Sequence, residues 1–169
     1  MTPDINRQNS CCFTGHRSSK LPWRGNHDDE RCLLLKERLY DIVEALYNAG
    51  IRHYICGMAV GSDMYFCEAV IRLRAEHNEV TLEAAIPCEE QTKLWGKRER
   101  RRYNYLVHQC DYETVIQHEY TKDCMHKRNR YMVDNSSVLV AVYDGTFGGT
   151  FQTITYAISK GLEIIEIRP

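Results

Sequence analysis

Short apolar segments with strand character alternate with longer segments of helical pattern along most of this chain. The strand-like segments are residues 11–14, 54–56, 80–86, 113–116, 138–143 and 163–167. Parallel strands need long crossover connections, and the helical segments between these strands are of the required length. Such crossovers are right-handed in nearly all cases, so the helices cover both faces of the sheet. The alternation predicts an α/β protein, a three-layer α/β/α sandwich with a mainly parallel central sheet.

Two segments support this assignment in detail. Residues 138–142 are apolar at every position rather than at alternate ones, which is typical of a central strand buried on both faces. Between the first two strands, apolar residues spaced three or four apart between positions 35 and 47 predict a helix. Gly50 follows where a C-terminal cap belongs. The sequence leaves the order of the strands open.

Length and charge narrow the class of protein. The 169 residues fit one domain, predicted to span residues 1–169 with a flexible segment at 1–9. No apolar run approaches the ~20 residues of a membrane span, and residues 1–10 resemble no targeting signal. We therefore expect a cytoplasmic protein without a membrane partner. With 22 basic and 23 acidic residues, any attraction to nucleic acid must come from a local patch.

The cysteines are scattered and none forms a C-x-x-C pair. They are Cys11, Cys12, Cys32, Cys56, Cys67, Cys88, Cys110 and Cys124. In a cytosolic chain this pattern favours free thiols, most of them packed as small apolar side chains. Cys124 and His126 supply only two metal ligands, too few for a structural zinc site, so no metal is expected.

Candidate ligand-binding residues follow the strands, because open α/β sheets bind ligands beyond the carboxyl ends of their strands. The first strand is followed by Thr-Gly-His-Arg at residues 14–17. A flexible glycine, a titratable imidazole and a permanent cation then lie together at a strand end. The candidates here are Gly15, His16 and Arg17. The alternative is a structural turn with a surface arginine.

A glycine-rich turn, Gly-Met-Ala-Val-Gly-Ser-Asp at residues 57–63, links the second strand to a helix. Glycines let the backbone approach a ligand closely, and the free N–H groups of a helix start attract anions. Ser62 or Asp63 can instead cap the helix, a role compatible with ligand contact. The candidates in this turn are Gly57, Ala59, Gly61, Ser62 and Asp63.

A second glycine-rich turn, residues 144–150, follows the fifth strand and leads into a helix that Gly161 closes. Two such turns favour a phosphate cradle more strongly than either alone. Neither turn has the Gly-Lys-Ser/Thr ending of a Walker loop or the G-x-G-x-x-G dinucleotide pattern, so a Mg-ATPase or a standard dehydrogenase is disfavoured. The candidates in this turn are Asp144, Gly145, Gly148, Gly149 and Thr150.

Together these turns resemble those of the SLOG superfamily, which joins YpsA-like proteins, DprA and the LOG phosphoribohydrolases. The likeness rests on residues 14–17, 57–63 and 144–150 and on Ile86-Pro87 at the end of the third strand. It is greatest for the YpsA branch, formerly a domain of unknown function. The resemblance implies a Rossmann-like fold and a pocket for a nucleotide or nucleotide-derived ligand.

The chain departs from the LOG pattern at one position. LOG hydrolases carry P-G-G-x-G-T-x-x-E, whose glutamate helps to cleave an N-glycosidic bond, and Thr153 stands at that place here. A threonine supplies no carboxylate for glycoside hydrolysis, which disfavours catalysis. The stretch at residues 125–128 is similar to the LOG M-H-x-R, so Arg128 or Arg130 is a candidate phosphate ligand. Asp63 or Asp144 can serve as a displaced carboxylate, which keeps the hydrolase hypothesis open.

A basic run with aromatics occupies residues 97–105. Such a run is usually the solvated face of an amphipathic helix, with Trp95, Tyr103 and Leu106 packing inward. Arginines beside aromatics also hold single-stranded nucleic acid, and the likeness to DprA makes DNA binding an alternative.

Three hypotheses about function follow from the sequence: binding or sensing of a nucleotide-derived ligand, which is favoured; a LOG-like nucleoside-monophosphate phosphoribohydrolase; and DprA-like single-stranded DNA binding. Self-association is expected because related domains often pair.

Overall fold

The fold of this chain is given by a computed structural model that describes residues 3–169. Six strands form one sheet: β1 (Ser10–Gly15), β2 (His53–Cys56), β3 (Thr81–Ile86), β4 (Tyr112–Val115), β5 (Val138–Val142) and β6 (Glu163–Ile167). The α-helices are α1 (Glu30–Asn48), α2 (Ser62–Glu76), α3 (Lys97–Gln109), α4 (Cys124–Asp134) and α5 (Gly149–Ser159). Strands and helices alternate throughout, which confirms the α/β prediction.

The strand order is β4-β3-β2-β1-β5-β6, and every neighbouring pair is parallel. The chain builds the sheet outward from β1 to β4, returns through α4, and places β5 on the other side of β1. Cys12 of β1 is therefore in register with Ile55 of β2 and with Leu139 of β5. Strand order reverses between β1 and β5, the position where open parallel sheets bind ligands.

Helices cover both faces of the sheet, as right-handed crossovers require. One apolar core lies beneath α1, α2 and α3, and the other beneath α4 and α5. Alternate residues of β1 enter opposite cores: Phe13 stacks on Phe66 of α2 with ring centroids 4.7 Å apart, whereas Cys12 faces α4 and α5. All five residues of β5 are buried, which confirms the prediction of a central strand. The fold is a Rossmann-like three-layer sandwich.

Local signals set the ends of α1. Asp29 is the N-cap, and its carboxylate accepts a hydrogen bond from the amide of Arg31 at 2.9 Å. Gly50 follows the helix with φ +106°, a conformation that glycine adopts without the clash that a Cβ would cause. Leu35 and Leu39, one turn apart, are both buried against the sheet. Burial of a leucine contributes roughly 1.5–3 kcal/mol, so this apolar face secures the helix.

The segment before β1 contains a short 3₁₀ helix, Arg7–Asn9. The guanidinium of Arg7 donates hydrogen bonds to the carbonyls of Ser136 and Lys160, each at 3.0 Å. Residues 1 and 2 of the segment expected to be flexible lie outside the described residues. The flexibility of the segment stays a prediction.

Candidate functional site

A cavity of about 310 Å³ opens at the carboxyl ends of β1 and β5, where strand order reverses. Its walls come from the end of β1 and the loop after it, from the start of α2, from α4, and from the first turn of α5. The lining residues are Phe13, Thr14, Gly15, His16, Arg17, Ser19, Lys20, Ala59, Asp63, Met125, His126, Arg128, Asn129, Met132, Gly149, Thr150 and Gln152.

The three sequence motifs therefore meet at one place, although not every residue of the motifs lines the cavity. Eight predicted residues lie in its wall: Gly15, His16, Arg17, Ala59, Asp63, Arg128, Gly149 and Thr150. The other six surround it and are Gly57, Gly61, Ser62, Asp144, Gly145 and Gly148. Their contacts show what each contributes.

In the turn between β2 and α2, Ala59 and Asp63 line the cavity, whereas the two glycines support neighbouring segments. The carbonyl of Gly57 accepts a hydrogen bond from the Arg128 guanidinium, and a Cβ on Gly57 would come within 2.6 Å of that side chain. Gly61 has φ +110°, and a Cβ there would lie 2.6 Å from the amide nitrogen of Ser18 and 2.8 Å from the carbonyl carbon of Arg17. Only glycine allows this loop to pack so closely on the loop after β1.

Ser62 joins the same two loops. Its hydroxyl donates a hydrogen bond to the carbonyl of His16 at 2.8 Å, and its amide donates to the same oxygen at 3.2 Å. A Cβ on Gly15 would overlap the Ser62 hydroxyl oxygen. The amide at the start of α2 is thus used within the protein, so this helix terminus holds the β1 loop in place.

Three cations line the cavity without an acidic partner. Arg17 and Arg128 both direct a guanidinium nitrogen toward the sulfur of Met125, at 3.9 and 3.8 Å. Lys20 lies opposite, its ammonium 3.0 Å from the position that a Cβ on Gly148 would take. Among residues 3–169, none of the three has a carboxylate oxygen within 4.0 Å. The cavity is therefore electropositive.

Arg128 and Asp63 both line the cavity and are both buried, and their charges influence each other. Burial lowers the pKa of the Arg128 guanidinium, an effect that the Asp63 carboxylate opposes and the Arg17 charge reinforces. Burial likewise raises the pKa of the Asp63 carboxyl, against the influence of Arg128 and of the Ala59 amide, which donates to it at 3.0 Å. Among the lining residues Asp63 is the one carboxylate. A positive charge excess remains for an anion to neutralise.

Asp144 is held by its own turn. Its Oδ1 accepts hydrogen bonds from the amide and hydroxyl of Thr146 at 2.9 and 2.6 Å, and the Nε2 of His16 lies 2.7 Å from the same oxygen. These hydrogen bonds, those from Thr146 first, hold the pKa of Asp144 well below its usual range. Asp144 therefore orients the His16 ring and the loop, and His16 contributes the wall of the cavity.

The turn between β5 and α5 is open, in contrast to the turn after β2. No atom lies within 4 Å of the positions that a Cβ would take on Gly145 or Gly149. In the part of the chain that the structure describes, no protein acceptor receives the amides of Gly149, Thr150 and Phe151. Free N–H groups at a helix start attract anions, and these lie beside the three cations. This helix terminus is available to a ligand.

Thr153 occupies the place of the LOG glutamate, one turn into α5. Its hydroxyl donates a hydrogen bond to the carbonyl of Gly149 at 2.8 Å, within its own helix, and the side chain is buried. It does not line the cavity. The position therefore contributes no acid or base to this site.

Sequence reasoning missed Lys20, Ser19 and Asn129. Lys20 and Ser19 belong to a short 3₁₀ helix, Ser18–Lys20, that directly follows the predicted motif. Asn129 is the neighbour of Arg128 and accepts a hydrogen bond from its Nε at 2.7 Å. Extending the motif at residues 14–17 by three residues would have included Ser19 and Lys20. Extending the motif at residues 125–128 by one residue would have included Asn129.

The basic run forms α3, on the far side of the sheet from α5. Leu106 is buried as predicted, and the rings of Trp95 and Tyr103 pack edge to face, 5.5 Å apart, against the core. Arg102 pairs with Glu68 at 2.6 Å. The remaining basic side chains of the helix, Lys97, Arg98, Arg100 and Arg101, are exposed. The helix has an inward aromatic face and a solvated basic one.

The cysteines are free thiols, and all except the partly exposed Cys110 are buried. Within residues 3–169, no group of three or more histidine, cysteine, aspartate or glutamate side chains is arranged to hold a metal ion. No helix in the same range is both long and apolar enough to cross a membrane.

Comparison with known sequences identifies relatives over most of the chain. The family model YpsA, described as the YspA SLOG family, matches residues 11–164. An uncharacterised SPbeta prophage-derived protein of Bacillus subtilis (strain 168), YoqJ, is 30% identical over 138 residues, which are 74% of this chain and 81% of YoqJ. All three motifs fall within the family match.

Comparison with solved structures identifies the same fold in larger proteins. DNA processing protein A (DprA) from Streptococcus pneumoniae superimposes with a TM-score of 0.65 at 14% identity, covering 96% of this chain and 51% of that one. DprA from Helicobacter pylori, whose structure was reported for its single-stranded DNA binding mode, gives a TM-score of 0.61 at 12% identity. It covers 95% of this chain and 65% of that one. This chain spans about half the length of the first and two thirds of the second.

Proposed function

The chain belongs to the YpsA family of SLOG proteins, and on that premise we propose that it binds the phosphate group of a nucleotide at the carboxyl ends of β1 and β5. One observation carries the proposal. Arg17, Lys20 and Arg128 line a single cavity beside the unused amides of α5, and among the described residues no carboxylate pairs with any of the three. Cations without partners at a helix start favour an anionic ligand.

The expected strength of this site follows from its parts. A hydrogen bond to a charged group contributes roughly 1.5–3 kcal/mol, and a helix start adds roughly 0.3–1 kcal/mol for an anion. Because the net charge of the chain is −1, attraction to a phosphate arises from this local arrangement. Arg128 is already rigid, since Gly57 and Asn129 hold its guanidinium, so little side-chain entropy is lost on binding.

Binding without hydrolysis is favoured at this site. Glycoside hydrolysis uses two carboxyl groups that flank the bond to be broken. Among the described residues the cavity offers Asp63 alone, and the Thr153 hydroxyl is engaged within α5. A phosphoribohydrolase would have to work with Asp63 as its one carboxylate, and it would release free base from a nucleoside monophosphate.

Single-stranded DNA binding is a second candidate, favoured by the exposed basic side chains of α3. This helix packs beside α2 and joins β3 to β4, whereas the cavity lies at the β1–β5 boundary. The two candidate sites therefore use different residues. Contacts between Lys or Arg and phosphates release counterions, so DNA binding on α3 would weaken steeply with added salt.

A thermal-shift panel tests the proposal with AMP, ADP, ATP, cyclic dinucleotides, NAD and ADP-ribose, followed by chromatography of each mixture. A ligand at about 100 times its dissociation constant adds roughly 2.7 kcal/mol of stability, which moves the melting temperature visibly. We expect stabilisation without released base. Lys20→Ala should lose most of the shift, whereas Lys97→Ala, which removes the same charge from α3, should retain it.

The two lysine variants also separate the candidates. A shift lost in Lys97→Ala and kept in Lys20→Ala would place the ligand on α3 and contradict binding in the cavity. Released base would establish hydrolysis and assign a catalytic role to the cavity. If no nucleotide in the panel stabilises the wild-type chain, the proposal is wrong.

A further inference from the structure

A groove of about 520 Å³ runs between α4 and α5, beside the cavity. Three side chains, His126, Asn129 and Gln152, line both the cavity and the groove. Since the two spaces share these lining residues, they are adjacent. Ligand sites of small molecules are usually about 300–1,000 Å³. The cavity alone lies at the lower end of that range, and the adjacent groove offers further room for a ligand that extends beyond it.

The groove has its own unpaired cation. The Arg130 guanidinium lies over the ring of Tyr156, 5.4 Å from its centroid, and within residues 3–169 no carboxylate oxygen approaches it within 4.0 Å. Lys127, one turn earlier, is paired with Asp123 at 3.3 Å. A guanidinium beside an aromatic ring keeps its N–H groups as donors, which suit a phosphate or a nucleobase edge.

Polar side chains connect this cation to the cavity. His126 and Gln152 make no side-chain hydrogen bond to any described residue, and the amide nitrogen of Asn129 makes none either. They stand between the Arg17–Lys20–Arg128 cluster and Arg130. The cavity and the groove thus present two cationic positions with hydrogen-bonding groups between them, a pattern that suits two linked nucleotide units.

We propose that the α4–α5 groove is a second subsite, so that the ligand consists of two phosphate-linked nucleotide units. This inference rests on the proposed function. The first unit places its phosphate among Arg17, Lys20 and Arg128, and the second unit lies in the groove against Arg130. A mononucleotide fills the cavity and leaves the groove unused.

Calorimetric titration with three probes tests the inference: dAMP, the 5′-phosphorylated dinucleotide pdApdA, and NAD, in which the two units are joined by a pyrophosphate. At least one two-unit probe should bind wild-type protein ten times more tightly than dAMP, and the tighter of the two identifies the linkage. Arg130→Ala should remove this gain and leave the affinity for dAMP within twofold of wild type.

Lys160→Ala is the matched control. The Lys160 ammonium lies over the same Tyr156 ring, also at 5.4 Å, but it does not line the groove. We expect this variant to keep the wild-type gain. If Arg130→Ala and Lys160→Ala lose the gain in affinity equally, the gain comes from general attraction between the protein and the charged probe. That result would overturn the second subsite. Equal affinities for dAMP and both two-unit probes would also overturn it while leaving the proposed function intact. If no probe binds, the proposed function itself fails.

Discussion

The two glycine-rich turns of this protein have similar sequences and opposite surroundings. In the turn after β2, Gly61 packs against the backbone of the β1 loop and Ser62 ties that loop down. In the turn after β5, no atom lies close to the Cβ positions of Gly145 and Gly149, and the amides of α5 are unused. The first turn is an internal support, and we propose the second as a receptor surface. Of the two glycine-rich turns, only the one after β5 leaves open space beside its glycines that a ligand could occupy.

The largest expected effect is the difference in stability between alanine variants at Gly61 and at Gly145. Gly61→Ala introduces both a strained φ and a backbone clash, so we expect a loss of roughly 2–6 kcal/mol in the free energy of unfolding, or no folding at all. Gly145→Ala has the positive φ without the clash and should cost roughly 1–2 kcal/mol. Urea denaturation measures both. Equal losses in the two variants would mean that the turns do not differ in packing.

The next effect concerns ligand affinity rather than stability. Gly149→Ala should change the free energy of unfolding by less than about 0.5 kcal/mol, because no atom surrounds the new methyl group. The methyl group projects from a residue that lines the cavity, so the affinity for the nucleotide should fall about tenfold, or roughly 1.4 kcal/mol. Gly96→Ala at the start of α3, equally open, serves as the control. Unchanged affinity in Gly149→Ala would show that the open turn is not a receptor surface.

The smallest effect tests how the open turn keeps its shape. The pKa of Asp144 is lowered by Thr146 and His16, so its stabilising contribution is complete above its ordinary pKa of about 3.9 and declines as the pH falls below that value. At pH 7 the free energy of unfolding should be greater for wild type than for Asp144→Asn by roughly 0.2–1 kcal/mol. The difference is small because the carboxylate is partly exposed to solvent. The difference should shrink below pH 4. A pH-independent difference would exclude the charge as its cause.

Much of the fold could be predicted because periodicity is a local property. The predictions of all six strands and of the buried character of β5 were correct, since strand-like segments of three to seven residues are visible in the sequence itself. The order of the strands could not be predicted, because nothing local indicates that β5 returns to pair with β1. The pairing joins Cys11 to Val138, across most of the chain.

The site was predictable only in part, for the same reason. Arg17 and Arg128 belong to short motifs and were identified, whereas Lys20 follows its motif and reaches the α5 turn only in the folded chain. The different roles of the two glycine turns depend on what packs against each glycine. Gly61 meets residues 17 and 18, and Gly149 meets none, a difference of tertiary contact that the two similar sequences do not carry.

The central position of β1 has a consequence for biosynthesis. β1 leaves the ribosome first, but its partner β5 is translated more than a hundred residues later. At a usual rate of about 5–20 residues per second, that interval is on the order of ten seconds. β2 protects one edge of β1 early, whereas the backbone N–H and C=O groups on the other edge stay unpaired until β5 is made. The strand that leads into the cavity loop thus keeps one edge open to chaperones and to aggregation until β5 has been made.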